Sequence, residues 1–176
     1  MSRCRALALL LTAGLLLAAG PARAGEPYKL RIGDRVPDLT LPRLGGGTLR
    51  LRDLGGRVVA VSFFSTSCAP CRKELPALLR AAGRASGDLP PAARVVVLVI
   101  ALEDPAGDPL VKEAAAATWL IDRDDRARQA FDPRTFPCTY LVDPKGVVRH
   151  INRGYGAGYE ARVERWLRGL LRDRTQ

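Results

Sequence analysis

Val58-Val59-Ala60-Val61-Ser62-Phe63-Phe64-Ser65-Thr66-Ser67-Cys68-Ala69-Pro70-Cys71-Arg72-Lys73-Glu74-Leu75-Pro76 is the stretch that decides the fold. Val58 to Phe64 is apolar on both faces, as a central strand requires. Leu75, Leu78, Leu79 and Ala82 then recur at helical spacing, which predicts a helix over Cys71 to Gly83 with a kink at Pro76. A strand, a short polar turn and a helix place Cys68 at the helix N-terminus. There unpaired N–H groups and the helix dipole favour a thiolate over a thiol, and Arg72 and Lys73 add positive charge. Such surroundings lower a cysteine pKa from about 8.5 to roughly 3.5–7.5, and the thiolate is the nucleophile. Cys71, one helical turn later, is placed to attack a mixed disulfide formed by Cys68.

A C-x-x-C has other readings. Half of a zinc site would need a second close pair of ligands, and downstream stand only Cys138 and the single histidine, His150. A structural staple across so short a loop removes little chain entropy. Redox chemistry accounts best for the pair, and no metal is assigned to it.

Working outward, the N-terminus bears on compartment. Arg3 and Arg5 precede an apolar run from Ala6 to Ala19, and Pro21-Ala22-Arg23-Ala24 supplies a small-x-small cleavage pattern. This predicts a secretory signal peptide over residues 1–24 and a single domain over 25–176, exported to the periplasm. The apolar run is shorter than the roughly 20 residues that span a bilayer; an uncleaved membrane anchor is the alternative. Cys4 leaves with the signal. The remaining three cysteines are an odd number, which suits a site better than a disulfide framework.

The chain has 28 Lys plus Arg against 18 Asp plus Glu, a net charge of +10. The cations are scattered and not interleaved with aromatics, so nucleic-acid binding is not expected.

The rest of the chain reads as an α/β domain. Val36 to Leu54 suits a hairpin turning at Gly45-Gly46-Gly47. Arg94 to Ile100 is a second buried strand, Leu110 to Thr118 a helix, Trp119 to Ile121 a short strand, and Asp124 to Phe131 a polar helix. Thr139 to Val142 and Val147 to Ile151 form a hairpin around Asp143-Pro144-Lys145-Gly146. Tyr159 to Leu171 closes the chain as a helix with Val163, Trp166, Leu167 and Leu170 on one face. A central mixed sheet flanked by helices, with an N-terminal β-hairpin extension, follows.

The segment Val58 to Pro76 resembles the active-site strand and helix of thioredoxin-like proteins exported to the bacterial periplasm, of the TlpA/ResA type related to the AhpC/TSA peroxiredoxins. Thr135-Phe136-Pro137-Cys138-Thr139-Tyr140-Leu141-Val142-Asp143 resembles that family's cis-proline segment, and Gly33-Asp34-Arg35-Val36-Pro37-Asp38-Leu39 its opening. The resemblance implies a thioredoxin-like fold and a thiol–disulfide oxidoreductase, working as a reductase re-reduced by a membrane thiol electron donor. It implies Cys68 as the attacking thiol, Cys71 as the resolving one and Pro137 as the cis-proline beside them. Phe136, Ala69 and Pro70 would meet substrate, the backbone of Phe136 pairing with it as an added strand. Glu74 matches a glutamate that tunes the two cysteines; the plainer reading is an exposed helix carboxylate paired with a neighbouring cation. The redox disulfide Cys68–Cys71 is the only prosthetic element implied. Protein disulfides are the implied substrates, with apocytochrome c or a metal-site assembly protein among the candidates, handled by a monomer.

Departures from the family pattern are specific. Ser67 stands where Trp usually precedes the first cysteine, and Ser62 where classical thioredoxins bury an Asp. Cys138 follows the cis-proline where Thr is common. It reads as a third redox thiol, a soft ligand, or a buried core thiol. Two alternative functions stay open. A peroxiredoxin-like peroxidase would use Ser65 three residues before the reactive cysteine, though Val61 replaces the usual proline. A copper-binding assembly chaperone would use Cys68, Cys71 and either Cys138 or His150.

Overall fold

The computed structural model describes residues 29–173, so the signal-peptide reading of 1–24 lies outside the described residues. Seven strands and four helices follow one another. β1 (Thr40–Pro42) and β2 (Thr48–Arg50) form the expected hairpin, followed by a 3-10 turn at Leu51–Leu54. Then come β3 (Val59–Phe64), α1 (Ala69–Ser86), β4 (Val96–Ala101), α2 (Pro109–Glu113) and β5 (Thr118–Ile121). α3 (Arg126–Phe131), β6 (Cys138–Val142), β7 (Val148–Arg153) and α4 (Tyr159–Asp173) complete the chain.

The main sheet has the order β5-β4-β3-β6-β7. β3 pairs parallel with β4 and antiparallel with β6, and β4 pairs parallel with β5. β3 is therefore central, and all six of its residues are buried, as its unbroken apolar run requires. Strand alternation divides its side chains between two cores. Ala60 and Phe64 meet Leu75 and Leu78 of α1 and Val163 and Leu167 of α4. Val59, Val61 and Phe63 meet Leu41, Leu49, Phe131 and Tyr140 on the other face. Leu78 is fully buried, and truncating such a leucine to alanine costs about 2–5 kcal/mol. The result is a mixed sheet covered on both faces, the thioredoxin-like architecture.

Several boundaries move for physical reasons. α1 begins at Ala69, because Pro70 in the first turn needs no N–H partner, and it continues through Pro76 to Ser86. It ends at Gly87, whose φ of +49° suits glycine. The helix expected over Leu110 to Thr118 stops at Glu113. Thr118 is already paired with Leu98 in the sheet, and Trp119 packs edge-on against Phe64 at 5.3 Å. Ala115 and Ala116 are exposed and offer no apolar area to hold a second helical turn. The hairpin turn at Gly45-Gly46-Gly47 has φ of +90°, +111° and +75° in succession, a path open to glycine and strained for other residues.

The N-terminal arm crosses one face of the sheet. Residues at its start bond beside β7, with Gly33 N–H donating to Val148 O at 2.8 Å. Ten residues on, Arg43 bridges to Leu120 of β5, and Leu44 N–H donates to Trp119 O at 3.0 Å. Among the described residues no helix is long and apolar enough to cross a membrane.

Candidate active site

Cys68 is the N-cap of the 18-residue helix α1, in extended conformation (φ −84°, ψ 94°). Its Sγ accepts a hydrogen bond from the backbone N–H of Cys71 at 3.2 Å. A sulfur anion at this position would receive that N–H and the positive end of the helix dipole. Cys68 and Cys71 are joined as a disulfide with Cα atoms 5.3 Å apart. Cys68 is half-buried, whereas Cys71 is 1% exposed and its Sγ lies 4.0 Å from Phe63 O. The accessible sulfur is thus the one at the helix tip. Ala69 and Pro70, between the two cysteines, are exposed.

The Phe136–Pro137 peptide bond is cis. It leads into β6, whose Cys138 pairs with Phe63 of β3 at the strand end that feeds the C-x-x-C turn. Phe136 is half-buried and packs against both cores, at the edge where they meet. The Pro137 carbonyl accepts from Gly154 N–H at 2.8 Å, which joins the β7–α4 loop to the same corner. That loop carries Tyr155, which is 38% exposed and packs on Tyr159 with ring centres 5.2 Å apart.

Glu74 lies one helical turn beyond Cys71 and is 1% exposed. Among the described residues its partners are hydroxyls and no cation: Ser62 Oγ donates at 3.1 Å, Thr139 Oγ1 at 2.6 Å, and Tyr159 OH to the same oxygen as Thr139. Thr139 and Tyr159 are also within 3.2 Å of each other. Burial raises the Glu74 pKa above the ordinary carboxylate value, and the hydroxyl donors oppose that only in part. The reading of Glu74 as an exposed, ion-paired carboxylate is therefore replaced by a buried one. Ser62 and Thr139 are register partners on adjacent strands, both pointing to the α1 side. Sequence reasoning flagged Ser62 only as a missing acid and passed over Thr139 and Tyr159. Two hydroxyl residues inside apolar strands were the available signal.

Cys138 is 1% exposed and belongs to the core on the far side of the sheet from Cys71. Burial pushes its thiol up to about 11. His150 stacks on Trp166 at 4.7 Å, and desolvation lowers its pKa. The structure does not bring Cys138 or His150 together with the dithiol, and among the described residues no three His, Cys, Asp or Glu side chains form a metal-binding group. The C-x-x-C turn is held from two sides that the sequence did not reveal. Arg72 donates to Thr66 O at 2.9 Å and makes a two-point pair with Asp108, at 2.9 and 2.6 Å. Glu103, after β4, binds Ser65 and Thr66. A cavity of about 310 Å³ lies elsewhere, between Val36, Leu51, Val59 and Val142, and none of the cysteines lines it.

The arrangement is that of a dithiol which can exchange with an external disulfide, and known proteins are similar to the chain over most of its length. The thioredoxin-like protein YneN of Bacillus subtilis is 29% identical over 129 residues, covering 69% of this chain and 71% of its own. The thiol-disulfide oxidoreductase ResA of Geobacillus kaustophilus is 29% identical over 138 residues, 73% of each. Among solved structures, a thiol:disulfide interchange protein from Bacteroides sp. superposes with a TM-score of 0.62 at 25% identity, over 79% of this chain and 91% of that one. The thioredoxin domain of a Bacteroides vulgatus thiol-disulfide oxidoreductase gives 0.64 at 23% identity, over 78% and 99%. The family model described as AhpC/TSA matches residues 32–151, which run from the N-terminal arm through the C-x-x-C and the cis-proline to β7. The chain belongs to the AhpC/TSA family, in its TlpA/ResA-type thioredoxin-like branch.

Proposed function

We propose that this protein is an exported thiol–disulfide oxidoreductase that reduces disulfides in other proteins. The observation that carries the reading is the Cys68–Cys71 pair at the N-terminus of α1, with one sulfur accessible and the other buried. In the reduced protein the Cys68 thiolate attacks one sulfur of a client disulfide. The client S–S bond breaks, its other sulfur leaves as a thiolate, and Cys68 is held in a mixed disulfide. Cys71 then gives up its proton and attacks Cys68 Sγ. The second client thiolate is released, and two electrons have passed from the dithiol to the client. Glu74, one turn from Cys71 and free of any cationic partner among the described residues, is the nearby group suited to exchange that proton.

The extended segment at Phe136–Pro137 would dock the client backbone, with Ala69 and Pro70 lining its path. Export supplies a compartment in which disulfides form, and a membrane thiol electron donor would restore the dithiol. Apocytochrome c and metal-site assembly proteins are the client classes we propose to test, with the protein acting as a monomer.

The test is trapping in cells. Cys71→Ser should accumulate mixed disulfides with clients, which non-reducing electrophoresis and mass spectrometry would identify, whereas Cys68→Ser should trap nothing and lose disulfide reduction. Undiminished reduction of insulin by Cys68→Ser would overturn the assignment. Rapid peroxide turnover with no disulfide substrate would favour a peroxidase instead.

A further inference from the structure

The wall beside the nucleophile is polar where the family usually has an aromatic ring. Ser67 Oγ, immediately before Cys68, is 2.9 Å from Ser65 Oγ. Ser65 Oγ donates to Glu103 Oε1 at 2.7 Å, and Thr66 N–H donates to Glu103 Oε2 at 3.3 Å. Both oxygens of one carboxylate are thus fixed by Ser65 and Thr66, two of the three residues that lead into Cys68. Glu103 is exposed. The cations and acids around it are otherwise matched: Arg72 is taken by Asp108, and Arg123 lies 3.5 Å from Asp104. Among the described residues no Lys or Arg forms an ion pair with Glu103. A carboxylate offers about four acceptor positions, and the two contacts to the turn leave the others facing solvent. On a chain of net charge +10, this anion sits against the turn that leads into the attacking sulfur.

We infer that Glu103 is a specificity-determining residue which selects client segments carrying Lys or Arg next to the cysteine under attack. The inference rests on the proposed exchange chemistry at Cys68. A client strand laid against Phe136–Pro137 presents its target sulfur to Cys68 and its flanking side chains to Ser67 and Glu103. A cation there finds acceptors already held in place by Ser65 and Thr66, while an acidic flank meets like charge. Charge matching of this kind governs encounter and register more than total affinity. At an exposed site it is worth a discrimination of about fivefold.

The experiment compares two peptide disulfides that differ only in Lys or Glu on both sides of the cysteine, with insulin as a third substrate. Wild type should show a kcat/KM about fivefold higher for the Lys-flanked peptide, with the difference mostly in KM. The ratio should fall towards one in Glu103→Gln, reverse in Glu103→Lys, and shrink at about 1 M salt, where screening acts within roughly 3 Å. Equal rates on both peptides in wild type would overturn the inference while insulin reduction leaves the oxidoreductase intact. A Glu103→Gln variant slowed equally on both peptides would also overturn it, reducing Glu103 to a support for the turn. A wild-type protein that reduces none of the three overturns the oxidoreductase reading, and this inference with it.

Discussion

Thr139 on β6 donates a 2.6 Å hydrogen bond to Glu74 on α1, so a buried carboxyl ties the active-site helix to the sheet beneath it. Ser62 and Tyr159 complete the surround. Three hydroxyls can orient as donors or acceptors, so the cluster tolerates either protonation state, but it supplies no charge to offset ionisation.

Glu74 should make stability fall with rising pH. Its folded pKa is raised by burial, so over the interval between the ordinary carboxylate value and the raised one the folded state binds more protons than the unfolded. Folding stability is then fully present below the unfolded value and declines until the folded value is passed. Glu74→Gln should flatten this part of the profile. Glu74→Ala, which strands three hydroxyls, should cost about 2–4 kcal/mol below the ordinary carboxylate value and progressively less as pH rises through the raised one. Urea unfolding across a pH series measures both.

Tyr159→Phe removes one donor to Glu74 and one contact to Thr139 while keeping the ring. The expected loss is about 1 kcal/mol of stability, together with a further rise of the Glu74 pKa. If Glu74 exchanges the Cys71 proton, the pH profile for release of the mixed disulfide should move upward in this variant. Stopped-flow measurement of product release gives that profile.

Cys138 should be silent in the folded protein. With its thiol pushed up to about 11, about one molecule in a thousand carries the thiolate at pH 8, and the side chain is 1% exposed. Iodoacetamide should label Cys68 rapidly in the reduced native protein and Cys138 only after denaturation. Cys138→Ala should leave disulfide reduction unchanged and lower stability by about 1 kcal/mol.

Asp108→Ala should loosen the turn before Cys68. Asp108 caps α2 through Leu110 N–H at 3.0 Å and holds Arg72, which in turn holds Thr66. Loss of the cap alone costs about 1 kcal/mol. The Arg72 guanidinium keeps the Asp108 carboxyl below the ordinary aspartate value. Its contribution is therefore present above that ordinary value and lost as pH falls through the lowered one. The wild-type acid-unfolding limb should flatten in the variant, as thermal melts in acid would record.

The parts legible in the sequence are those written by local pattern. The runs at Val58–Phe64 and Arg94–Ile100 became β3 and β4, because an unbroken apolar stretch has a place only in the middle of a covered sheet. The C-x-x-C marked the end of a strand and the start of a helix, and the glycine triplet marked the hairpin. The cis-proline was legible through the family resemblance, not from propensity. What stayed hidden depends on pairings distant in the chain. Glu74 reads as a surface residue until Ser62, Thr139 and Tyr159 are brought over it by β3, β6 and α4. Glu103 reads as one acid in a turn-rich loop until β4 ends beside Ser65. The overlong α2 has the same origin: alanines favour helix, but sheet pairing at Thr118 overrides them.

The arm that crosses the sheet has a bearing on solubility. An uncovered strand edge is a template on which other chains can polymerise. Here a single stretch bonds beside β7 at Gly33 and beside β5 at Leu44, so it blunts both flanks of the sheet at once. Beyond Val148, β7 carries the exposed Arg149 and Arg153, the former paired with Asp143 at 2.6 Å, and long charged side chains on an edge strand hinder edge-to-edge pairing. A protein whose proposed clients lay a strand against Phe136–Pro137 is thereby kept from pairing them along the flanks of its own sheet instead.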